Sequence, residues 1–145
     1  ERRGDPWSGH MAFPGGHAQS EDVDLHATAL RETREEIGVD LERYGELIGR
    51  LDDVGTTARG RHTGMVITPH VFVLHGDPEF SLNDEVAELL WGPLGRMARG
   101  EVNTVTEYWL DGVHFELPAY EVDGRIVWGL TYAMVQNLFA KVAGR

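Results

Sequence analysis

The sequence predicts an α/β fold, a three-layer sandwich in which helices flank a mixed β-sheet. Two observations support this prediction. An amphipathic stretch with helical spacing lies near each end of the chain, and short segments rich in Val and Ile lie between them. The 145 residues fit a single domain spanning residues 1–145, with enough chain to bury a core.

The first helix is predicted over residues 24–37, after a Gly- and Pro-rich stretch that contains one short extended piece, HMAF. Its inward-facing positions recur at helical spacing at Leu25, Thr28 or Ala29, Thr33 and Ile37. Asp22 or Asp24 can cap the start of this helix, and Gly38 is a natural residue for its end.

Strands are predicted to fill most of the remaining chain. The predicted strands are rich in Val and Ile or alternate between apolar and polar residues. They are YGELIGRLDDV, GMVITPHVFVL, DEVAELLWGPL, TVTEYWL, VHFELPAYEV and RIVWG. The polar, Gly-rich stretch GTTARGRHTG is predicted to be a loop. Tight turns are predicted at Asp111-Gly112 and Asp123-Gly124, because Asp-Gly pairs accept the backbone angles of two-residue hairpins.

A closing helix is predicted over residues 130–143. Val135 and Phe139 lie beside an apolar stripe formed by Leu130, Met134, Leu138 and Val142. We expect this stripe to pack in the core.

The composition excludes several classes of protein. A net charge of −11 argues against a protein that coats nucleic acid, and it favours binding of cations. The absence of Cys excludes disulfides and thiolate chemistry, which fits a cytoplasmic protein. No apolar run is long enough to span a membrane, and no secretory signal is visible. The chain begins with Glu1 rather than Met, so we expect that an N-terminal piece is missing.

The stretch ALRETREEIGV crowds three carboxylates onto one face of the predicted first helix. Glu32, Glu35 and Glu36 are three or four residues apart or adjacent, so their charges repel unless a cation or protons compensate. Hard divalent ions such as Mg²⁺ prefer carboxylate and carbonyl oxygens, and the preceding FPGG turn can bring bare backbone close by. The alternative is a solvated face with surface pairs to Arg31 and Arg34.

The segment GGHAQSEDVDLHATALRETREEIGV resembles the signature of the Nudix hydrolases, G-x5-E-x7-R-E-U-x-E-E-x-G-U, in which U is aliphatic. Its second half agrees at Arg31, Glu32, Glu35, Glu36, Gly38 and Val39. Thr33 stands at the aliphatic position between Glu32 and Glu35. The resemblance implies a Nudix-type α/β/α sandwich.

The first half of the signature departs from this pattern. Gly16 leads after five residues to Asp22 rather than Glu, and eight residues rather than seven precede Arg31. This form is similar to the coenzyme A diphosphatase branch, as are LDDVGTT, VITPHVFVL and IVWGLTYAMVQNL. The branch has an Arg four residues before the position of Gly9, whereas this chain has Asp5, and the opening strand of the family is missing before Glu1.

The resemblance implies a metal-dependent site for Mg²⁺ or Mn²⁺. Its ligands would be Glu32, Glu35 and Glu36, with a backbone carbonyl of Gly15 or Gly16. Arg31 would hold one of these carboxylates in place. The identity of the general base stays open among Glu35, Glu36, Glu85 and Glu88. For Glu85 and Glu88 the alternative is a purely exposed role.

Other side chains are weaker candidates. Arg59, Arg61 and His62 could contact substrate phosphates, including a 3′-phosphate, or simply form a solvated loop. An adenine could stack on Trp91, Trp128 or Tyr132, for which core packing is the alternative. No pair among His10, His17 and His26 has metal-ligand spacing on a defined element, so we expect surface or loop roles for them.

The reaction implied by the resemblance is hydrolysis of a nucleoside diphosphate linked to another group. The favoured substrate is coenzyme A or a derivative, cleaved to 3′,5′-ADP and 4′-phosphopantetheine. Alternatives are ADP-ribose, nucleotide sugars or dinucleotides as substrates, or a non-catalytic module of the same fold that only binds a ligand. The expected partner is a small molecule, with no nucleic acid or membrane, and a homodimer stays open.

Overall fold

The computed structural model describes residues 10–58 and 61–144, without the side chains of residues 57, 58 and 61. In chain order its elements are α1 (Leu25–Ile37), α2 (Leu41–Tyr44), β1 (Gly45–Arg50), β2 (Val54–Ala58), β3 (Arg61–Ile67), β4 (His70–Leu74), α3 (Leu94–Ala98), β5 (Asn103–Leu110), β6 (Val113–Val122), β7 (Arg125–Val127) and α4 (Gly129–Ala143). The α/β fold class predicted from the sequence is confirmed.

These elements fall into two compact units. The carboxylate unit comprises residues 13–51 and 68–89 and contains α1, α2, β1 and β4. The hairpin unit comprises residues up to 12, 52–67 and from 90 onward, with the remaining helices and strands. Where the sequence predicted a mixed sheet, the pairings between described strands are antiparallel and form three sheets, β1-β4, β2-β3 and β5-β6-β7.

Helix α1 begins and ends at residues that the sequence marks for those positions. Asp24 is the N-cap, and its side chain accepts a hydrogen bond of 2.7 Å from the Ala27 amide. Gly38 ends the helix with φ of 75°, a left-handed conformation that glycine adopts without steric cost, and its amide donates to the Arg34 carbonyl. The predicted helix over residues 24–37 is therefore confirmed.

The buried face of α1 is less apolar than the predicted helical pattern suggested. Thr28 and Thr33 are buried, whereas Leu25 is 48% exposed. The Thr33 hydroxyl donates to the Ala29 carbonyl at 2.8 Å, so a polar group occupies the aliphatic position of the signature without losing its hydrogen bond.

The stretch GMVITPHVFVL forms two strands rather than the single strand predicted. Strand β3 ends at Ile67 and belongs to the hairpin unit, and β4 starts at His70 in the carboxylate unit. Pro69 lies between them and has no amide hydrogen to donate to a sheet. Its carbonyl instead accepts a hydrogen bond from the Leu51 amide at 3.0 Å, just after β1.

The stretch GTTARGRHTG was predicted to be a loop, and this is wrong for its described residues, which belong to the β2–β3 hairpin. Thr56 is 1% exposed in β2. Its hydroxyl is hydrogen-bonded to the Thr63 hydroxyl and donates to the Met65 carbonyl across the hairpin. A polar residue is buried because the partner strand satisfies it, and the linear sequence does not show that pairing.

The three-stranded sheet of the hairpin unit follows the predicted turns closely. Asp111 and Gly112 have φ of 49° and 79°, and Asp123 and Gly124 have φ of 48° and 76°. Positive φ at both central residues is the requirement of a tight hairpin turn, and both predicted turns are confirmed.

Two shorter predictions fail among the described residues. DEVAELLWGPL contains no strand, and HMAF is not part of a sheet. The Val86 amide bonds to the Asn83 carbonyl at 3.2 Å, which closes a turn where the strand was predicted to begin. Pro93 then leads into the short helix α3.

The core of the hairpin unit forms where α4 packs beside β6 and β7. Its buried members are Met97, Tyr120, Val122, Val127 and Val135. The predicted helix over residues 130–143 is confirmed as α4, and Met134 and Val135 are buried. Val142 is 63% exposed, so the predicted apolar stripe stops before the last turn of the helix. None of the helices in the described ranges combines the length and apolar character needed to cross a membrane.

Substitution of Gly38 by Ala should destabilise the protein. The left-handed backbone of a non-glycine residue costs about 1–2 kcal/mol, and an added Cβ would lie 2.9 Å from the Ser81 Cβ. We expect Tm to fall by about 2–4 °C for each kcal/mol lost, measured by thermal denaturation. The matched control is Gly49→Ala, where an added Cβ meets no atom within 4 Å. Equal Tm values for the two variants would contradict this account.

Candidate active site

Three carboxylates project from consecutive turns of α1. Glu32, Glu35 and Glu36 lie within the last two turns before Gly38, at the spacing that places side chains on adjoining positions of a helix surface. The Glu32 side chain is 14% exposed and that of Glu35 is 54% exposed. The cluster therefore extends from a covered end at Glu32 to an open end at Glu35.

Arg31 is held by Asp22 in a two-pronged ion pair. Its Nε donates to Asp22 Oδ1 at 3.0 Å and its Nη2 donates to Oδ2 at 2.9 Å. Asp22 also accepts from the Gln19 amide and the Thr28 hydroxyl, both at 2.9 Å. The hydrogen bonds from Arg31 hold the pKa of Asp22 well below its usual range, and those to Asp22 raise the pKa of Arg31.

The remaining hydrogen atoms of the guanidinium reach the carboxylate cluster. Arg31 Nη1 donates to Glu32 Oε1 at 2.8 Å and to Glu35 Oε2 at 3.2 Å. Arg31 Nη2 also donates to the backbone carbonyl of His17 at 3.1 Å, in the segment before α1. One side chain therefore fixes two glutamates and ties the helix to the preceding loop.

Glu36 is oriented from a different direction. Its Oε2 accepts a hydrogen bond from the Gly15 amide at 3.2 Å. Burial raises the pKa of Glu36, the Gly15 hydrogen bond lowers it, and the nearby negative charges of Glu32, Glu85 and Glu35 raise it further. The crowding inferred from the sequence is thus present in the folded chain, with a fourth carboxylate added.

Glu85 reaches this cluster because its loop is attached to the end of α1. The Ser81 amide donates to the Ile37 carbonyl and the Asn83 amide donates to the Glu36 carbonyl, each at 3.0 Å. These bonds use carbonyls that a helix end leaves unpaired. Asn83 Oδ1 in turn accepts from the Glu85 amide at 2.9 Å, which fixes the loop next to Glu36.

Gly16 passes so close to Glu32 that any side chain at this position would displace the Glu32 carboxylate. A Cβ built at Gly16 would lie 2.4 Å from Glu32 Oε1, whereas one at Gly15 would meet no atom within 4 Å. Carboxylate oxygens and bare glycine backbone are donors that a hard divalent ion prefers, so the donor set fits Mg²⁺ or Mn²⁺. Within the described ranges, no three His, Cys, Asp or Glu side chains already converge as a formed metal site. Arg31 and the Gly15 amide orient these oxygens instead.

The other sequence candidates are distributed over the chain. Arg59 lies outside the described residues, as does Asp5, and Arg61 is the first residue of β3. His62 is exposed on β3, and Glu88 is exposed in the segment after Glu85. Arg61 and His62 belong to the hairpin unit, whereas Glu88 belongs to the carboxylate unit.

The aromatic candidates make contacts within the hairpin unit. Trp128 lies between the rings of His10, at 4.8 Å, and Tyr108, at 5.6 Å. Tyr132 packs on Tyr120 at 4.8 Å. Trp91 is 64% exposed. For Trp128 and Tyr132, packing against other rings agrees with the alternative that the sequence left open.

Sequence reasoning missed the role of Asp22 and left Glu85 undecided among several candidates. Asp22 was considered only as a departure from the signature or a helix cap, yet it is the main partner of Arg31. One indication of this role was available from the sequence, because Asp22 stands where the signature has Glu. Glu85 was one of several open possibilities, and its approach to Glu36 depends on backbone bonds from Ser81 and Asn83 that no local pattern reveals.

A helix that gathers carboxylates around one arginine, next to a glycine turn, offers oxygen ligands of the kind that divalent ions prefer. The model of the NUDIX domain matches residues 1–111, and this chain belongs to the Nudix family. Members of the family hydrolyse nucleoside diphosphate derivatives and generally use ions such as Mg²⁺ or Mn²⁺.

The chain is similar to several curated proteins. It is 38% identical over 103 residues to an uncharacterised protein of Schizosaccharomyces pombe, covering 69% of this chain and 31% of that protein. It is 31% identical over 140 residues to the uncharacterised Nudix hydrolase NudL of Yersinia enterocolitica, covering 93% of this chain and 67% of the relative. For NudL of Citrobacter koseri the identity is 33% over 141 residues, covering 95% and 69%. The chain thus spans about a third of the yeast relative and about two thirds of the bacterial ones.

Substitution of Asp22 by Asn should reduce stability in a pH-dependent way. Because the folded pKa of Asp22 is lowered from 3.8, its contribution is present above about pH 4 and is lost as the pH falls below that value. The gap in unfolding free energy between wild type and Asp22→Asn should therefore be larger at pH 7 than at about pH 3, measured by urea denaturation. Asp77→Asn, which changes an exposed carboxylate, is the matched control. A gap that is equal at both pH values would contradict the assignment.

Proposed function

We propose that this protein hydrolyses the diphosphate bond of coenzyme A or a related derivative in a reaction that depends on Mg²⁺ or Mn²⁺. The products would be 3′,5′-ADP and 4′-phosphopantetheine. The observation that carries the hydrolytic part is the cluster of Glu32, Glu35 and Glu36, oriented by Arg31 and the Gly15 amide. The preference for coenzyme A is supported by the residue pattern of the signature.

The proposed ligand set consists of the three helix carboxylates and a backbone carbonyl of Gly15 or Gly16. Glu32 and Glu36 are held from two sides, by Arg31 and by the glycine turn. Glu35 is more exposed, so it is placed to hold an ion on the open side, where a substrate phosphate could reach that ion. Bound divalent ions would neutralise the diphosphate, activate water and stabilise the leaving group.

Arg31 acts in this proposal as a positioning residue. Two of its nitrogen atoms are committed to Asp22, which leaves the third to orient Glu32 and Glu35. Since a guanidinium is planar and stays charged, it holds this geometry throughout turnover. The cation also offsets part of the repulsion between the carboxylates.

Among the candidate bases, Glu36 and Glu85 are favoured. Burial and neighbouring charges raise the pKa of Glu36 against the opposing hydrogen bond from the Gly15 amide, and an upward shift is the direction that favours a general base. Glu85 is one of those neighbours and is exposed toward solvent, from which the attacking water comes. Glu88, which is exposed in the segment after Glu85, is an additional candidate.

The substrate preference rests on the first half of the signature. Asp22 and the extra residue before Arg31 are similar to the coenzyme A branch. The Arg that this branch carries upstream is Asp5 here, which keeps ADP-ribose, nucleotide sugars and dinucleotides as the alternative substrates. Arg59, Arg61 and His62 are proposed contacts for the phosphates.

Substitution of Gly16 by Ala should weaken binding of Mg²⁺ without unfolding the protein. The new Cβ would displace the Glu32 carboxylate, a flexible side-chain end, and disturb its bond to Arg31. We expect affinity for Mg²⁺ to fall by about 10-fold or more, measured by calorimetric titration, with a small change in Tm. Gly15→Ala is the matched control, because it has open space and keeps the amide that binds Glu36. Equal affinities in the two variants would exclude Glu32 from the ligand set.

The function is tested with a panel of diphosphates in the presence of Mg²⁺ or Mn²⁺. We expect coenzyme A to have the highest kcat/KM, with 3′,5′-ADP detected as a product by chromatography. Turnover should be lost in Glu35→Gln/Glu36→Gln, which removes two proposed ligands while keeping the helix. Activity that persists in this double variant would refute the assignment of the site.

The panel also separates the alternatives. If ADP-ribose is cleaved while coenzyme A is left intact, the proposed hydrolysis of a diphosphate is supported, but coenzyme A as the substrate is refuted. Absence of turnover on every diphosphate, together with retained binding of a ligand, would indicate a binding module. The presence of all three helix carboxylates favours the enzyme over that module.

A further inference from the structure

Two histidines from distant parts of the sequence meet in the carboxylate unit. His26 lies in the first turn of α1 and His70 is the first residue of β4. Their ring centres are 5.8 Å apart, and the ring planes are inclined by 44°. Two imidazoles that bind one ion at nitrogen–metal distances of about 2.0–2.1 Å have ring centres about 5–6 Å apart. The observed separation of the ring centres lies within this range.

The orientation of each ring is set by a neighbour. His70 Nδ1 lies 3.1 Å from the carbonyl oxygen of Thr68, and since a carbonyl can only accept, Nδ1 carries the hydrogen. Nε2 of the neutral ring then keeps its lone pair. A backbone carbonyl on the far nitrogen is the arrangement that typically orients histidine ligands of metals.

His26 is held by stacking. Its ring lies nearly parallel to that of Phe72, at an angle of 16° and a distance of 5.7 Å between ring centres. Phe72 and His70 are two residues apart in β4 and share one face of the strand. The start of α1 thus packs over that face, and both imidazoles are partly covered by protein rather than free in water.

We propose that His26 and His70 form a two-imidazole site for a late first-row dication such as Zn²⁺, Ni²⁺ or Cu²⁺. Imidazole suits these ions, whereas Mg²⁺ prefers oxygen, so the site is chemically distinct from the carboxylate cluster. Water completes the coordination, because no third His, Cys, Asp or Glu joins the pair within the described ranges. The cross-strand neighbour of His70 is Arg50, which is exposed, so its charge is screened by solvent.

A bound ion would link α1 to β4. An ion held by both rings would join the start of the carboxylate helix to the sheet beneath it and stabilise the folded unit. This would make the stability of α1 responsive to transition-metal ions independently of the ion used for hydrolysis.

The test is thermal denaturation of the untagged full chain with NiCl₂, in a Glu35→Gln/Glu36→Gln background so that the carboxylate cluster does not take up the ion. We expect saturating Ni²⁺ to raise Tm by about 3 °C or more. His26→Gln and His70→Gln should each abolish this rise. His75→Gln is the matched control, since His75 is exposed and pairs with Glu46, and it should keep the rise.

The outcomes decide the proposal without reference to enzyme activity. A rise in Tm that persists in either His26→Gln or His70→Gln, or that is absent from the parent chain, overturns it. Far-UV circular dichroism without metal confirms that each variant folds. If one variant does not fold, the other decides, together with the spectrum of bound Cu²⁺, which should show hyperfine coupling to nitrogen. A Cu²⁺ spectrum without nitrogen coupling would also overturn the proposal.

Discussion

The ion pair between Arg31 and Asp22 is the interaction on which the site depends. Carboxylates at neighbouring helix positions repel one another, and a single guanidinium reaches Glu32 and Glu35 at once. The guanidinium has a fixed orientation because it also donates two hydrogen bonds to Asp22. Asp22 is itself held by the Thr28 hydroxyl, so the helix, the loop before it and the carboxylates form one connected network.

Two glycines, one in the segment before α1 and one directly after it, allow the backbone to complete this network. Gly16 lets the incoming chain approach Glu32 more closely than any side chain would permit. Gly38 turns the outgoing chain into a left-handed conformation, and the later segment from Ser81 to Asn83 bonds to the last carbonyls of the helix. Glu85 reaches the cluster because of that attachment. The site is therefore built from three chain segments around one helix end.

The electrostatics of the molecule and its proposed chemistry agree. A chain of net charge −11 that also crowds carboxylates does not attract a diphosphate by itself. In the proposed function, divalent ions would resolve this by binding the acidic cluster and the anionic substrate together. The raised pKa of Glu36 reflects the same crowding and burial, and membership of the Nudix family gives the arrangement its chemical setting.

Features that depend on neighbouring residues could be predicted from the sequence. Asp24 and Gly38 mark the ends of α1, and the Asp-Gly pairs specify both turns of the three-stranded sheet. The clustering of Glu32, Glu35 and Glu36 follows from helical geometry alone. The β2–β3 hairpin was predicted to be a loop, and this error arose because Thr56 is buried through partners on the opposite strand.

The amino-acid sequence by itself indicated the family, through its resemblance to the Nudix signature. It also determined the carboxylate helix and the acidity that favours cations, since these two are properties of local spacing and composition. Only the tertiary structure decided which groups meet that helix. Asp22 forms an ion pair with Arg31, Glu85 lies near Glu36, and the His26 ring contacts the His70 ring. The physical reason is that these contacts depend on backbone hydrogen bonds and side-chain packing between segments far apart in the chain. A local sequence pattern does not indicate such bonds.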